Sequence, residues 1–105
     1  MNATFERVRD LIGQDDWQVS DHALERIIEK GIIASELADG IASGVVVEDY
    51  PGYHAGPCVL VLQRISGGPA HALWGLKAGT DRPAVLITAY HPDPELWHPD
   101  NRTRK

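Results

Sequence analysis

The sequence predicts an α+β domain in which helices come first and a four-stranded, mainly antiparallel meander follows. Two observations carry this prediction. Apolar residues recur at helical spacing up to residue 44 and then at a period of two or in short runs. From residue 51 onward, Gly and Pro clusters punctuate the chain at the intervals expected of strand connections. One domain spans 1–105: helices over residues 1–44, a sheet over residues 45–90 and a proline-rich tail over residues 91–105.

The first helix rests on Phe5, Val8, Leu11 and Ile12, with Gly13 as its stop. For the second, Ser20 caps the free amides of the first turn, Asp21 complements the helix dipole and Gly31 suits a left-handed end. Leu24, Ile27 and Ile28 make its expected apolar stripe. A short third helix, Ser35 to Ser43, buries Leu37, Ala38 and Ile41; Gly40 weakens it and Gly44 ends it. Val45 to Asp49 reads as the first strand, and Pro51-Gly52 and Gly56-Pro57 bracket a loop. Cys58 to Ile65 and Ala70 to Lys77 form a hairpin through Ser66-Gly67-Gly68, and Pro83 to Tyr90 is the fourth strand. The prolines at 92, 94 and 99 forbid one continuous helix in the tail. Trp97 and those prolines are expected to fold back over the sheet.

Composition bounds the function. With 105 residues, the area scaling gives ~5,800 Å² of folded surface against ~16,700 Å² unfolded, enough burial for one core without staples. The longest strongly apolar stretch, Cys58 to Leu62, is far short of a membrane span. The first ten residues carry Glu6 and Asp10 and lack the apolar run of a secretory signal. Cys58 is the only cysteine, so no internal disulfide forms, which fits a reducing cytoplasm; a buried strand thiol is the expectation. The net charge of −5 is awkward for a phosphate-backbone binder. It is unevenly spread, however. Residues 1–49 hold eleven acids and four bases, a net of −7, while residues 50–105 hold four acids and six bases, a net of +2. A polyanion is expected to meet the second half.

Two places offer chemistry. On the second helix, His22, Glu25, Arg26 and Glu29 line one face at spacings of three and four. An imidazole one turn from a guanidinium suits phosphate chemistry, because His moves protons near neutral pH and Arg grips phosphoryl oxygens with two parallel hydrogen bonds. A plain solvated face with intrahelical ion pairs explains the same spacing, and spacing alone favours it. On the third and fourth strands, alternation places Val85, Ile87 and Ala89 with Trp74 and Leu76 toward the helices. His71, Thr88 and Tyr90 then share the opposite face with Leu73 and Leu86. His91, Asp93 and His98, with His71 nearby in a possible fold, are acceptable zinc ligands, but no cysteine cluster or helical His pair supports a metal, and none is expected. No phosphate-binding glycine loop leads from a strand into a helix.

Further residues carry a family resemblance. Asp21-His22-Ala23-Leu24-Glu25-Arg26, then Gly31-Ile32, Ile41-Ala42-Ser43-Gly44 and Val47-Glu48-Asp49-Tyr50-Pro51 resemble the bacterial "domain of unknown function 4258" family. Ala70-His71-Ala72-Leu73-Trp74 and the ending Ile87-Thr88-Ala89-Tyr90-His91-Pro92-Asp93-Pro94-Glu95-Leu96-Trp97 match it too. That family is similar to the RelE-like and barnase-like ribonuclease superfold. The resemblance implies a metal-independent, mRNA-cleaving toxin of a toxin–antitoxin pair, using the RNA's own 2′-hydroxyl and no cofactor, in the bacterial cytoplasm. It implies His22 and His71 as the proton-transfer groups, in an order left open, and Arg26 as the phosphoryl stabiliser. Thr88 and Tyr90 are implied to position substrate, Tyr90 within the catalytic group. Lys77, Arg102 and Arg104, on the basic half, are the expected RNA contacts. RNA or the ribosome is the implied target, and a zinc-finger or helix-turn-helix antitoxin the implied partner. The chain departs from many RelE-like toxins in its acidity. A non-catalytic interaction module on the same fold is the alternative, and a small-molecule or metal-binding domain a weaker one.

Overall fold

A computed structural model describes residues 2–105. Helix α1 (Ala3–Gly13) is capped by Asn2, whose side chain accepts from the Phe5 amide at 2.8 Å, and it buries Phe5, Val8 and Leu11. Strand β1 (Trp17–Val19) follows, then α2 (Asp21–Lys30) and α3 (Ala34–Asp39). Beyond α3 a 3₁₀ turn (Ile41–Ser43) leads into β2 (Val45–Tyr50), β3 (Cys58–Ile65), β4 (Gly68–Leu76) and β5 (Ala84–Tyr90).

The sheet order is β1-β5-β4-β3-β2, so β4 is the middle strand. The expected α+β architecture is present, but the sheet has five strands rather than four and is mixed, because β1 pairs parallel to β5. Three residues are too few to show a period of their own, and pairing with β5 makes them a strand. The single third helix also divides at Gly40, where α3 gives way to the 3₁₀ turn.

Helices cover one face of the sheet. Val8, Leu11, Ile27 and Leu37 pack there on Val59, Val61, Ala72, Trp74 and Leu86. Ser20 accepts from the Ala23 amide and donates to the Ile87 carbonyl, so the α2 cap also ties the helix to β5. The expected stripe on α2 is narrower than its sequence: Ala23 and Ile27 are buried, whereas Leu24 is 48% and Ile28 70% exposed. No helix among the described residues is long and apolar enough to cross a membrane.

Bulges decide which residues face which way. In β5 the register slips beside Ile87, so Ala84, Leu86 and Ala89 face the helices, while Val85, Thr88 and Tyr90 face away. The alternation expected for this strand therefore holds only after the bulge. Leu86 belongs to the core, and Val85 and Ile87 do not. A second slip beside Val47 turns Val46 toward the helices and Glu48 away from them.

One buried polar contact ties the layers together. The Gln63 side chain donates to the Leu37 carbonyl at 2.6 Å and accepts from the Trp74 indole at 2.9 Å. Gln63→Ala leaves both partners unpaired in the core, and each orphan costs ~1–3 kcal/mol. A loss of about 2–6 kcal/mol in urea unfolding is expected, with the same slope and a lower midpoint. Gly56, at φ +127°, lets the 51–57 loop close on β4, since a Cβ there lies 2.0 Å from the Leu76 carbonyl oxygen. Gly56→Ala should open that loop, read as faster amide exchange at Leu76 and Ala78, which donate to Pro57 and Ala55.

Candidate functional site

The face of the sheet away from the helices carries a cluster of polar groups. Pairing aligns them in rows: Leu62, His71 and Tyr90 in one, Glu48, Leu60, Leu73 and Thr88 in the next, then Tyr50, Cys58, Gly75 and Val85. The tail crosses this face and folds into a tight hairpin, in which Trp97 pairs with Arg104 and Asp100 accepts from the Arg102 and Thr103 amides. Trp97 is buried there, as the expected cover.

His71 lies beneath the tail with no solvent exposure. The Asn101 carbonyl, 2.6 Å from Nε2, can only accept, so Nε2 carries the proton. Nδ1 then accepts from the Tyr90 hydroxyl at 3.3 Å. Burial pushes the His71 pKa below its usual value, against the Asn101 hydrogen bond, and keeps the ring neutral. Trp97 packs edge-on at 4.5 Å between ring centroids, and Tyr90 at 5.3 Å. Burial also raises the Tyr90 pKa, so the phenol stays protonated.

Beside this pair, Arg104 donates twice to Glu48, each bond at 2.9 Å, and its guanidinium lies 4.6 Å over the Trp97 ring. The Tyr50 hydroxyl donates to the same carboxylate. The Arg104 hydrogen bonds, then that of Tyr50, hold the Glu48 pKa down to about 2. The Glu48 hydrogen bond raises the Tyr50 pKa in turn. An apolar cavity of about 270 Å³ opens here, lined by Tyr90 and Thr88 of β5, Tyr50 of β2 with Arg104, Leu60 and Tyr53. Cys58 lines its floor, and burial pushes its thiol pKa up, as expected of an inert strand cysteine.

The sequence-predicted residues thus separate. His71, Thr88, Tyr90 and Arg104 converge on this face. Lys77 is exposed beyond the end of β4 and lines a neighbouring cavity. Arg102 lines a different cavity of about 540 Å³ with Arg64 and Asp100. His22 and Arg26 are exposed on α2, whose buried side joins the helical core, and Arg26 sits 3.8 Å from Glu29. They stand apart from the cluster around His71, and the ion pair favours a plain solvated helix face. Glu48, Tyr50 and Trp97 carry no site signal of their own in the sequence. Their roles arise from a bulge and from the return of the tail. Among the described residues, no three His, Cys, Asp or Glu side chains converge on a point that would hold a metal.

His71 and Glu48 make the protein acid-sensitive. His71 has a depressed folded pKa, so its contribution is complete above the ordinary 6.5 and is lost as the pH falls below it. Glu48 contributes fully above 4.5, and that share disappears as the pH falls toward 2. Thermal melts should therefore decline in two acid windows. Glu48→Gln should remove the lower one and His71→Gln the upper one.

No curated protein and no solved structure matches the chain. The family model described as domain of unknown function (DUF4258) matches residues 19–91, more than half of the chain, and the chain belongs to that family.

Proposed function

We propose that this member of a family of unknown function is a metal-independent endoribonuclease, the toxin half of a bacterial toxin–antitoxin pair acting in the cytoplasm. The observation that carries the reading is a cavity lined by a phenol and a guanidinium, Tyr90 and Arg104, with the phenol hydrogen-bonded to the buried His71 imidazole behind it. Transfer to the RNA's own 2′-hydroxyl needs a group that accepts a proton, a group that returns one, and a cation at the phosphorus. Tyr90 backed by His71 supplies the first two. The 2′-hydroxyl proton passes to the Tyr90 oxygen as the phenol proton passes to His71 Nδ1. The O2′–P bond forms, the P–O5′ bond breaks, and the pair returns a proton to the departing 5′-oxygen. Arg104 has N–H groups beyond the two given to Glu48, and these are the donors for the phosphoryl oxygens in this scheme. His22 and Arg26 lie outside this scheme. RNA, free or on the ribosome, is the substrate, and a small antitoxin protein is the partner.

A second reading is a non-catalytic interaction module. It is favoured by one observation: His71 has no exposure, and both of its ring nitrogens are occupied.

Purified protein incubated with RNA in EDTA should yield 2′,3′-cyclic phosphate ends, and 2′-deoxy substitution at the cut site should block cleavage. Tyr90→Phe and Arg104→Ala should each lower the rate by ~10²–10⁴, and expression of either should relieve growth arrest. Folded variants as active or as toxic as wild type would remove the assignment.

A further inference from the structure

The cavity beside Tyr90 is not isolated. A second cavity, of about 310 Å³, continues along the same face between β4, β5 and the 51–57 loop. The two share Tyr53 and Ile87. Gly75 of β4 lets the Ile87 side chain lie down over the strand where the two meet, since a Cβ there would lie 2.7 Å from Ile87 Cδ1. From Leu73 to Lys77 the strand advances ~13 Å at about 3.3 Å per residue. A cationic side chain stands at each end, Arg104, already paired with Glu48, beside the first cavity and Lys77 beside the second. Lys77 is exposed, and among the described residues no carboxylate forms an ion pair with it. Tyr53, 51% exposed, rises between the two cavities.

We infer that this trough binds single-stranded RNA, one unpaired base in each cavity, with Tyr53 as the stacking wall between them and backbone phosphates at Arg104 and Lys77. The inference rests on the reading of RNA as the substrate. Flat apolar slots flanked by an aromatic ring and spaced cations are what unpaired bases on a charged backbone require. A duplex keeps its bases stacked inside and offers the slots nothing. The occupied length is two nucleotides, set by the two cavities. The acidic helices lie on the far face, so they oppose binding elsewhere without touching the trough.

The test uses 2′-O-methyl trinucleotides, which have no free 2′-hydroxyl, titrated into the full chain by calorimetry at several salt concentrations. Saturable binding is expected, with a matched duplex at least tenfold weaker. Tyr53→Ala should lower affinity by roughly tenfold and Tyr53→Phe should restore it, since stacking needs the ring alone. Lys77→Ala should flatten the log–log salt dependence by ~0.7, the share of one single-strand phosphate. Tyr53 is a solvent-exposed loop residue, and an unchanged melting temperature verifies that the variant is folded. Equal affinity of Tyr53→Ala and wild type, or equal binding of duplex, overturns the trough. Binding with the expected pattern but without cleavage of ordinary RNA leaves the trough standing and overturns the nuclease reading. Cleavage and affinity both indifferent to Tyr53 overturn the trough alone.

Discussion

His71 sits on the middle strand with no solvent exposure, so its ring nitrogens must find partners inside the protein or weaken it by ~1–3 kcal/mol each. Tyr90, its cross-strand neighbour, meets one nitrogen, and the Asn101 carbonyl meets the other. The second partner belongs to the tail, so satisfying the imidazole fixes where residues 97–104 cross the sheet. Trp97 then seals the ring from water, and Arg104 reaches Glu48 on the edge strand. A bidentate pair between partly exposed groups is a modest source of stability. Its larger effect is positional, holding a guanidinium at the rim of the cavity beside Tyr90.

Covering both faces of the sheet demands different side chains on each. The helical face takes Val, Leu, Ala and Trp74, with Gln63 supplying the hydrogen bonds the indole and the Leu37 carbonyl require. The other face is only partly covered, by the tail at one end and the 51–57 loop at the other, and the cavities lie between them. The two bulges make this division workable. Without the slip beside Val47, Glu48 would share the face of Val46 and be driven among the helices. Without the slip beside Ile87, Leu86 and Thr88 would point the same way.

The charge of the chain takes on a spatial meaning in this arrangement. The acids that give residues 1–49 their net of −7 lie mostly on helices, whereas Arg104 and Lys77 flank the opposite face. Asp15, Asp16, Glu48 and Asp49 lie off the helices; of these Glu48 turns to the opposite face, where Arg104 balances its charge and Tyr50 donates to it. With Arg104 and Glu48 balancing each other, the flanking cation left unpaired among the described residues is the Lys77 ammonium.

Much of the fold was legible in the sequence because local rules govern it. Helical spacing located α1 and α2, the Ser20 and Gly31 caps set the ends of α2, and Gly-Pro clusters divided the strands. Alternation also placed His71, Thr88 and Tyr90 on one face, and their neighbourhood follows from pairing β4 with β5. Short-range signals end there. Strand β1 exists through its partner, the bulges through the register of neighbouring strands, and Glu48 and Arg104 meet across 56 residues of sequence. His22 and Arg26 read as a promising pair because they share a helix face, yet that face is turned to solvent beside Ala23 and Ile27 rather than toward His71. Residue type and spacing determine which groups can do chemistry and how each element is built. Which of them meet is decided by packing, because the side of an element that is buried depends on what the rest of the chain brings to cover it.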